Sequence, residues 1–284
     1  MKYETNFGDL PDEFSSYKNA SIVIVPVPYD GTSTWIKGAD RGPEAILEAS
    51  ANMELYDIET DCEVYRRGIF TGPPIEQSSS PEQMVAAVKE EVAGHIARGK
   101  FAVTIGGEHS VSIGAIEAFS EAYGEITVLQ LDAHSDLRSE YEGSSCNHAC
   151  VMARAGEVAR TVQVGIRSMC VEEKASLKKE DVFFAEDTRR DNGWIAKVLS
   201  RICGKVYITI DLDVFDPSIM PSTGTPEPGG LLWYETIELL KKVVEKFEVV
   251  GFDIVELCPN DSNKGPNFLA AKLIYKLLSY KFGA

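Results

Sequence analysis

The sequence predicts a three-layer α/β/α sandwich built on a mostly parallel sheet of about eight strands. Three observations predict it. Short β-branched runs recur from end to end of the chain, they are continuously apolar instead of alternating, and longer stretches of helical spacing lie between them. A continuous apolar run marks a strand covered on both faces, the condition of a parallel sheet. Strand–helix alternation then puts helices on both sides of that sheet.

The first strand is the run at 21–27, SIVIVPV, and a weaker candidate follows at 63–70. Positions 81–98 carry apolar residues at helical spacing and end at Gly99, a residue suited to closing a helix. Strands follow at 101–106 (FAVTIG), 126–131 (ITVLQL), 161–166 (TVQVGI), 182–185 (VFFA), 205–210 (KVYITI) and 249–255 (VVGFDIV). Two further helical patterns occupy 233–247 and 267–282. Positions 217–230 hold seven Pro or Gly directly after a strand, and a loop that stiff in that place points to function. With no linker, repeat or low-complexity segment, residues 1–284 read as a single domain.

Composition narrows the function classes. The 284 residues carry 28 Lys+Arg against 44 Asp+Glu, a formal charge of −16, and 44% are hydrophobic. That balance excludes a surface built for nucleic acid and disfavours anionic membranes. It suits a cationic ligand, although solubility alone explains acidity equally well. No run reaches the roughly 18 apolar residues of a membrane helix. The start of the chain, Met1 to Asn6, lacks the apolar core of a secretory leader, so a cytoplasmic protein is expected. Its six cysteines form no CxxC pair and read as free thiols. Cys146 and Cys150 flank His148, where a soft-metal site is conceivable.

Chemistry concentrates at three strand ends. There are four histidines. His109 follows the strand 101–106 within Gly106-Gly107-Glu108-His109-Ser110, and His134 lies in Asp132-Ala133-His134-Ser135-Asp136 after 126–131. Asp211-Leu212-Asp213 ends the strand 205–210. Open α/β sheets place their sites at the carboxyl ends of strands. Residues two apart in extended chain share a face, so Asp132, His134 and Asp136 can converge, as can Asp211 and Asp213. Burying such groups without a cation is costly. Four carboxylates and two imidazoles exceed the four ligands of one tetrahedral zinc. Two ions sharing carboxylates use them all, and the oxygen-rich set suits Mn²⁺. Taken singly, each motif has a plainer reading as turn carboxylates or a structural histidine; His95, inside 81–98, reads as an ordinary helix residue.

These motifs resemble those of the ureohydrolases, the arginase/agmatinase family. GGEHS (106–110), DAHSD (132–136) and DLDVFDP (211–217) carry the likeness, with GTSTWIKGADRGPEAILEAS (31–50), GTPEPGG (224–230) and DIVEL (253–257). The likeness runs from about residue 22 to 270. It implies the arginase/deacetylase-like form of the sandwich and a binuclear manganese centre, two Mn²⁺ per subunit. The ligands it implies are His109, Asp132, His134, Asp136, Asp211 and Asp213. It places His148 as a proton-shuttling histidine and Glu256 as the guanidinium-binding glutamate, with Asp136 steering a proton. It also implies a homo-oligomer, trimer or hexamer.

The reaction so implied is hydrolysis of a guanidino compound by a metal-bridging hydroxide, to urea and an amine. GTPEPGG resembles agmatinases more than arginases, and Arg138 stands where arginases carry an Asn that helps hold the α-carboxylate. Agmatine, a dication that would yield putrescine in polyamine biosynthesis, is the expected substrate. Arg138 also suits a guanidino acid such as guanidinobutyrate. Glu140 and Glu142 could face a distal ammonium, or be solvated surface charges. A zinc deacetylase would use fewer acidic ligands, a nucleotide or sugar transferase lacks its phosphate-cradling loop, and a non-catalytic metal-binding relative would leave His148 and Glu256 without a task.

Overall fold

A computed structural model describes residues 3, 5–77 and 79–283. Met1, Lys2 and Glu4, part of the N-terminal stretch read against a leader, lie outside the described residues. Eight strands form one sheet: β1 (Ile22–Val27), β2 (Ile69–Thr71), β3 (Phe101–Gly106), β4 (Ile126–Leu131), β5 (Arg160–Ile166), β6 (Val182–Phe184), β7 (Lys205–Asp211) and β8 (Val249–Val255). Their order is β2-β1-β3-β8-β7-β4-β5-β6, and every pairing is parallel. All carboxyl ends therefore emerge at one edge of the sheet.

The continuous apolar runs have the expected cause. In β1, Ile22 and Ile24 pack into one core, while Val23, Val25 and Val27 pack into the other. Helices Gly42–Ser50, Trp194–Arg201, Trp233–Lys246 and Gly265–Phe282 cover the first face. Helices Pro81–Ala97, Val111–Tyr123 and Val151–Val158 cover the second. Ser80 caps Pro81–Ala97, its hydroxyl accepting from the Gln83 amide at 3.2 Å, and Pro81 fills a first-turn position where no donor is needed.

The structure differs from the sequence reading at one candidate strand and adds helices it did not contain, Gly42–Ser50, Val111–Tyr123, Val151–Val158 and Trp194–Arg201 among them. The candidate strand at 63–70 is a 3₁₀ turn over Val64–Arg67, and pairing starts only at Ile69. Gly68, at φ +76°, turns the chain between the two. The helix Val111–Tyr123 has no clear polar stripe because it is buried on nearly all sides, between the sheet and Pro81–Ala97. Gly114 allows that approach, since a Cβ there would lie 2.2 Å from the Val85 carbonyl oxygen. No helix among the described residues is long and apolar enough to cross a membrane.

Candidate active site and metal centre

The four strands that carry the strand-end motifs, β3, β8, β7 and β4, are adjacent at the centre of the sheet. His109 sits on the turn beyond β3, Asp132 to Asp136 follow β4, Asp211 ends β7, and Glu256 follows β8. Register aligns them: Leu131 pairs with Ile210, and Asp211 with Val255. Gly107 is required in the His109 turn, because a Cβ would lie 2.0 Å from the Tyr29 carbonyl oxygen. The Glu256 amide donates to the Gly107 carbonyl at 2.7 Å, and the His109 amide donates to Glu256 Oε1 at 2.8 Å. The ends of β3 and β8 are thus tied together. Asp136 and Glu256 hold φ values of +51° and +66°, where residues other than glycine are strained.

Five of the six expected ligands fall into two groups that could each hold a metal ion, His109, Asp132 and Asp211, and Asp132, His134 and Asp213, while Asp136 belongs to neither and approaches the first through His109. Asp132 belongs to both. His109 Nδ1 is buried with no hydrogen-bond partner, yet Asp136 Oδ2, Asp132 Oδ2 and Asp211 Oδ2 lie 3.0, 3.1 and 3.5 Å away. His134 Nδ1 is 2.9 Å from Asp213 Oδ2. A buried ring nitrogen aimed at three carboxylate oxygens is what a cation between them would satisfy, so these residues fit a metal pair. The remaining atoms are held in place. Asp132 accepts from Gln130 Nε2 at 2.7 Å and from the His134 amide at 2.5 Å, and Asp213 Oδ1 accepts from the Ala133 amide at 3.0 Å. Behind His109, Nε2 is 2.9 Å from Thr209 Oγ1, which donates to the buried Asp253 at 2.7 Å. Neither Cys146 nor Cys150 joins a cluster, and burial pushes the Cys150 thiol up to about 11.

Without cations, protons compensate this concentration of charge. Burial, then the Asp132 charge, pushes Asp136 up to about 7, and burial with Asp213 and Asp132 holds Asp211 well above the carboxylate range. Burial would lower both imidazoles, but the neighbouring aspartates outweigh it and raise His109 and His134 well above the usual range. Cations must displace these protons, so metal affinity rises with pH through neutrality. Adding Mn²⁺ to metal-free protein at pH 7 is expected to release on the order of two to three protons per chain, two from the imidazoles and the rest from the raised aspartates. Calorimetry in buffers of different ionisation enthalpy measures the number, and binding with no proton release would contradict the cluster's charge state.

A cleft of about 190 Å³ opens over the cluster, and His109, His134, Asp136, His148, Asp211 and Glu256 line it. With Oε1 bound to the His109 amide, Glu256 keeps Oε2 without a hydrogen bond among the described residues. Burial, then the nearby Glu108 carboxylate, raises the Glu256 pKa. His148 opens the turn His148–Cys150 ahead of helix Val151–Val158. Burial, then the charges of His109 and His134, pushes it down to about 4, below the free imidazole value, so the ring is neutral at pH 7.

Arg138 lines the mouth of the cleft, its guanidinium 4.2 Å from the centre of the Tyr141 ring. Beyond it a groove of about 330 Å³ shares Arg138, Cys170 and Glu173 with the cleft and adds Glu140 and Glu172. Glu142 is exposed and lies outside both.

Arg167 and Thr32 were not legible as site residues. Arg167 carries a half-buried guanidinium that donates to the carbonyls of Asp213 (2.6 Å), Glu227 (2.8 Å) and Pro228 (3.2 Å). It fastens the Pro/Gly-rich loop to the end of β7 and sets Glu227 Oε1 4.0 Å from His134 Nε2. Burial outweighs the nearby carboxylates and lowers the Arg167 pKa. Apart from Gly165, its partners are main-chain carbonyls 46 to 61 residues away, which leave no trace in residue type.

A parallel sheet covered on both faces, with imidazoles and carboxylates paired around a shared aspartate at its central strand ends, defines an α/β protein with a dinuclear-metal site. Residues 20–279 match the Arginase family. The N(1)-aminopropylagmatine ureohydrolase of Synechocystis sp. is 40% identical over 95% of this chain and 92% of its own, and that of Thermus thermophilus is 38% identical over 93% and 92%. The agmatine ureohydrolase of Thermoplasma volcanium superposes with a TM-score of 0.87 at 32% identity, covering 96% of this chain and 93% of its own. The chain belongs to the arginase family and is a ureohydrolase of that family.

Proposed function

We propose that this chain, as one domain over residues 1–284, hydrolyses the terminal guanidinium of an agmatine-type polyamine to urea and a primary amine. The class covers agmatine, which gives putrescine, and agmatine extended by an aminopropyl arm, which gives spermidine. The observation that carries the reaction is that His109, His134, Asp136, Asp211, His148 and Glu256 line one cleft, with Asp132 and Asp213 joining three of them, His109, His134 and Asp211, in two metal-competent groups. The groove adding Glu140 and Glu172 beyond the cleft supports a long cationic tail, as do the names of the Synechocystis and Thermus relatives. Conversion of a polyamine precursor fits the cytoplasm, and a trimer or hexamer is the working form we propose.

His109, Asp132 and Asp211, with Asp136 beside them, would hold one Mn²⁺, and Asp132, His134 and Asp213 the other. Manganese in that position supplies water that ionises near neutral pH. Glu256 Oε2 meets the guanidinium N–H groups and holds the electrophilic carbon over the cluster. Asp136, at the floor of the cleft, takes the water's proton toward the leaving nitrogen. His148, neutral at rest, can accept a proton at its cleft-facing edge and hand it on to the departing amine or to solvent. Overall, guanidinium plus water becomes urea plus an alkylammonium, with atoms and charge conserved.

Urea release from agmatine, N(1)-aminopropylagmatine, arginine and 4-guanidinobutyrate, assayed in parallel with added Mn²⁺, tests this reading. The two amines are expected as substrates, the extended one with the higher kcat/KM. Urea from arginine alone, or from none of the four, would overturn it. A second reading, a guanidino acid, rests on Arg138, whose guanidinium has no carboxylate within salt-bridge distance among the described residues. Under the polyamine reading, Arg138→Gln removes a repulsive charge and lowers KM for the amines roughly two- to fivefold, the effect of an exposed charge. Abolished guanidinobutyrate turnover in that variant, with amine kinetics unmoved, would favour the acid instead.

A further inference from the structure

Thr32 lies in the segment after β1, buried, and reaches across 116 residues of sequence to His148. Its hydroxyl oxygen accepts the His148 backbone N–H at 3.0 Å and lies 3.1 Å from Nδ1 of the same residue's ring. One hydroxyl therefore holds both the main chain and the side chain of the histidine. A threonine hydroxyl has two lone pairs and one proton. With one lone pair on the His148 amide, the same hydroxyl still meets Nδ1, which engages that edge of the ring away from the metal-competent cluster.

We propose that Thr32 is the positioning residue for His148: by engaging both its amide and Nδ1 it fixes the ring's orientation and leaves the Nε2 edge for the cleft. The proposal rests on the assignment of His148 to proton transfer. Imidazoles in catalysis need an outside partner to set their orientation, and no carboxylate does so here: the Tyr141 ring stands edge-on 6.0 Å away, and Thr32 provides the only hydrogen bond to the ring among the described residues. Thr32 forms no hydrogen bond with a residue of the metal-competent clusters among the described residues.

The test compares Thr32→Val, which is close to isosteric and lacks the hydroxyl, with Thr32→Ser, which keeps it, in manganese-loaded full-length protein. Misplacing a catalytic group can cost about a hundredfold, so Thr32→Val is expected to lower kcat by roughly ten- to a hundredfold. KM and two bound manganese ions should be retained, and Thr32→Ser should restore kcat to near the parent value. Unchanged kcat in Thr32→Val overturns the proposal. So does equal loss in both variants, which would mark a packing role for the segment. His148→Asn, assayed alongside, separates the two levels: if it too leaves kcat unchanged, the assignment of His148 has failed, whereas an inactive His148→Asn beside a fully active Thr32→Val removes Thr32 alone.

Discussion

Replacing Asp132 by Asn is expected to strip both metal ions and to lower urea release by about a thousandfold or more, the equivalent of roughly 4 kcal/mol in the barrier. Asp132 is the one residue common to both clusters, so neither ion keeps its ligand set without it. The amide is also a poor substitute on hydrogen-bonding grounds. Both carboxylate oxygens of Asp132 accept from the protein, one from Gln130 Nε2 and one from the His134 amide. Asn offers a single oxygen, so one donor meets an NH₂ group, and an unsatisfied buried polar group costs about 1–3 kcal/mol. Metal analysis after dialysis, with thermal unfolding as a control, separates the two effects. Asp136→Asn and Asp213→Asn should each reduce bound metal as well. Two equivalents of metal retained by Asp132→Asn would sink the shared-ligand assignment.

His148→Asn is expected to behave in the opposite way, with full metal content and turnover lower by roughly a hundred- to ten-thousandfold, the usual span for loss of a general acid–base group. His148 belongs to neither cluster, and Asn retains a polar group within reach of Thr32. The size of the loss follows from chemistry that a neutral amide cannot perform, since it neither gains nor loses a proton near neutrality. Parallel measurement of kcat and KM decides it: a raised KM with kcat intact would make His148 a binding residue and leave the proton without a carrier.

How much of this was legible beforehand follows from where the information lies. Seven strand runs were readable because strands buried on both faces must be apolar throughout, and their ends fell within a residue of the observed ones, whereas the weaker candidate at 63–70 began six residues too early. The metal-competent residues were readable because each motif is local, three to five residues at a strand end, and parallel pairing brings the ends together. The sheet order that makes β3, β8, β7 and β4 neighbours was not readable, since pairing partners leave no mark in a run of valines and isoleucines. Helix Val111–Tyr123 escaped because near-complete burial erased its polar stripe. Thr32 and Arg167 escaped for a different reason: Thr32 acts on a histidine 116 residues away, and Arg167 on bare carbonyls, so neither forms a pattern with its sequence neighbours. Glu256 was placed by its motif, but its positive φ and the bond that engages Oε1 came only from the fold.

Two metal ions, held at three central strand ends, are expected to make this chain hydrolyse a guanidinium. Titrating metal-free protein with Mn²⁺ while following urea release from agmatine and its aminopropyl derivative tests that claim most directly. Activity is expected to climb until two equivalents per chain are bound and then to level off. A plateau at one equivalent, or full metal uptake without urea, would contradict it.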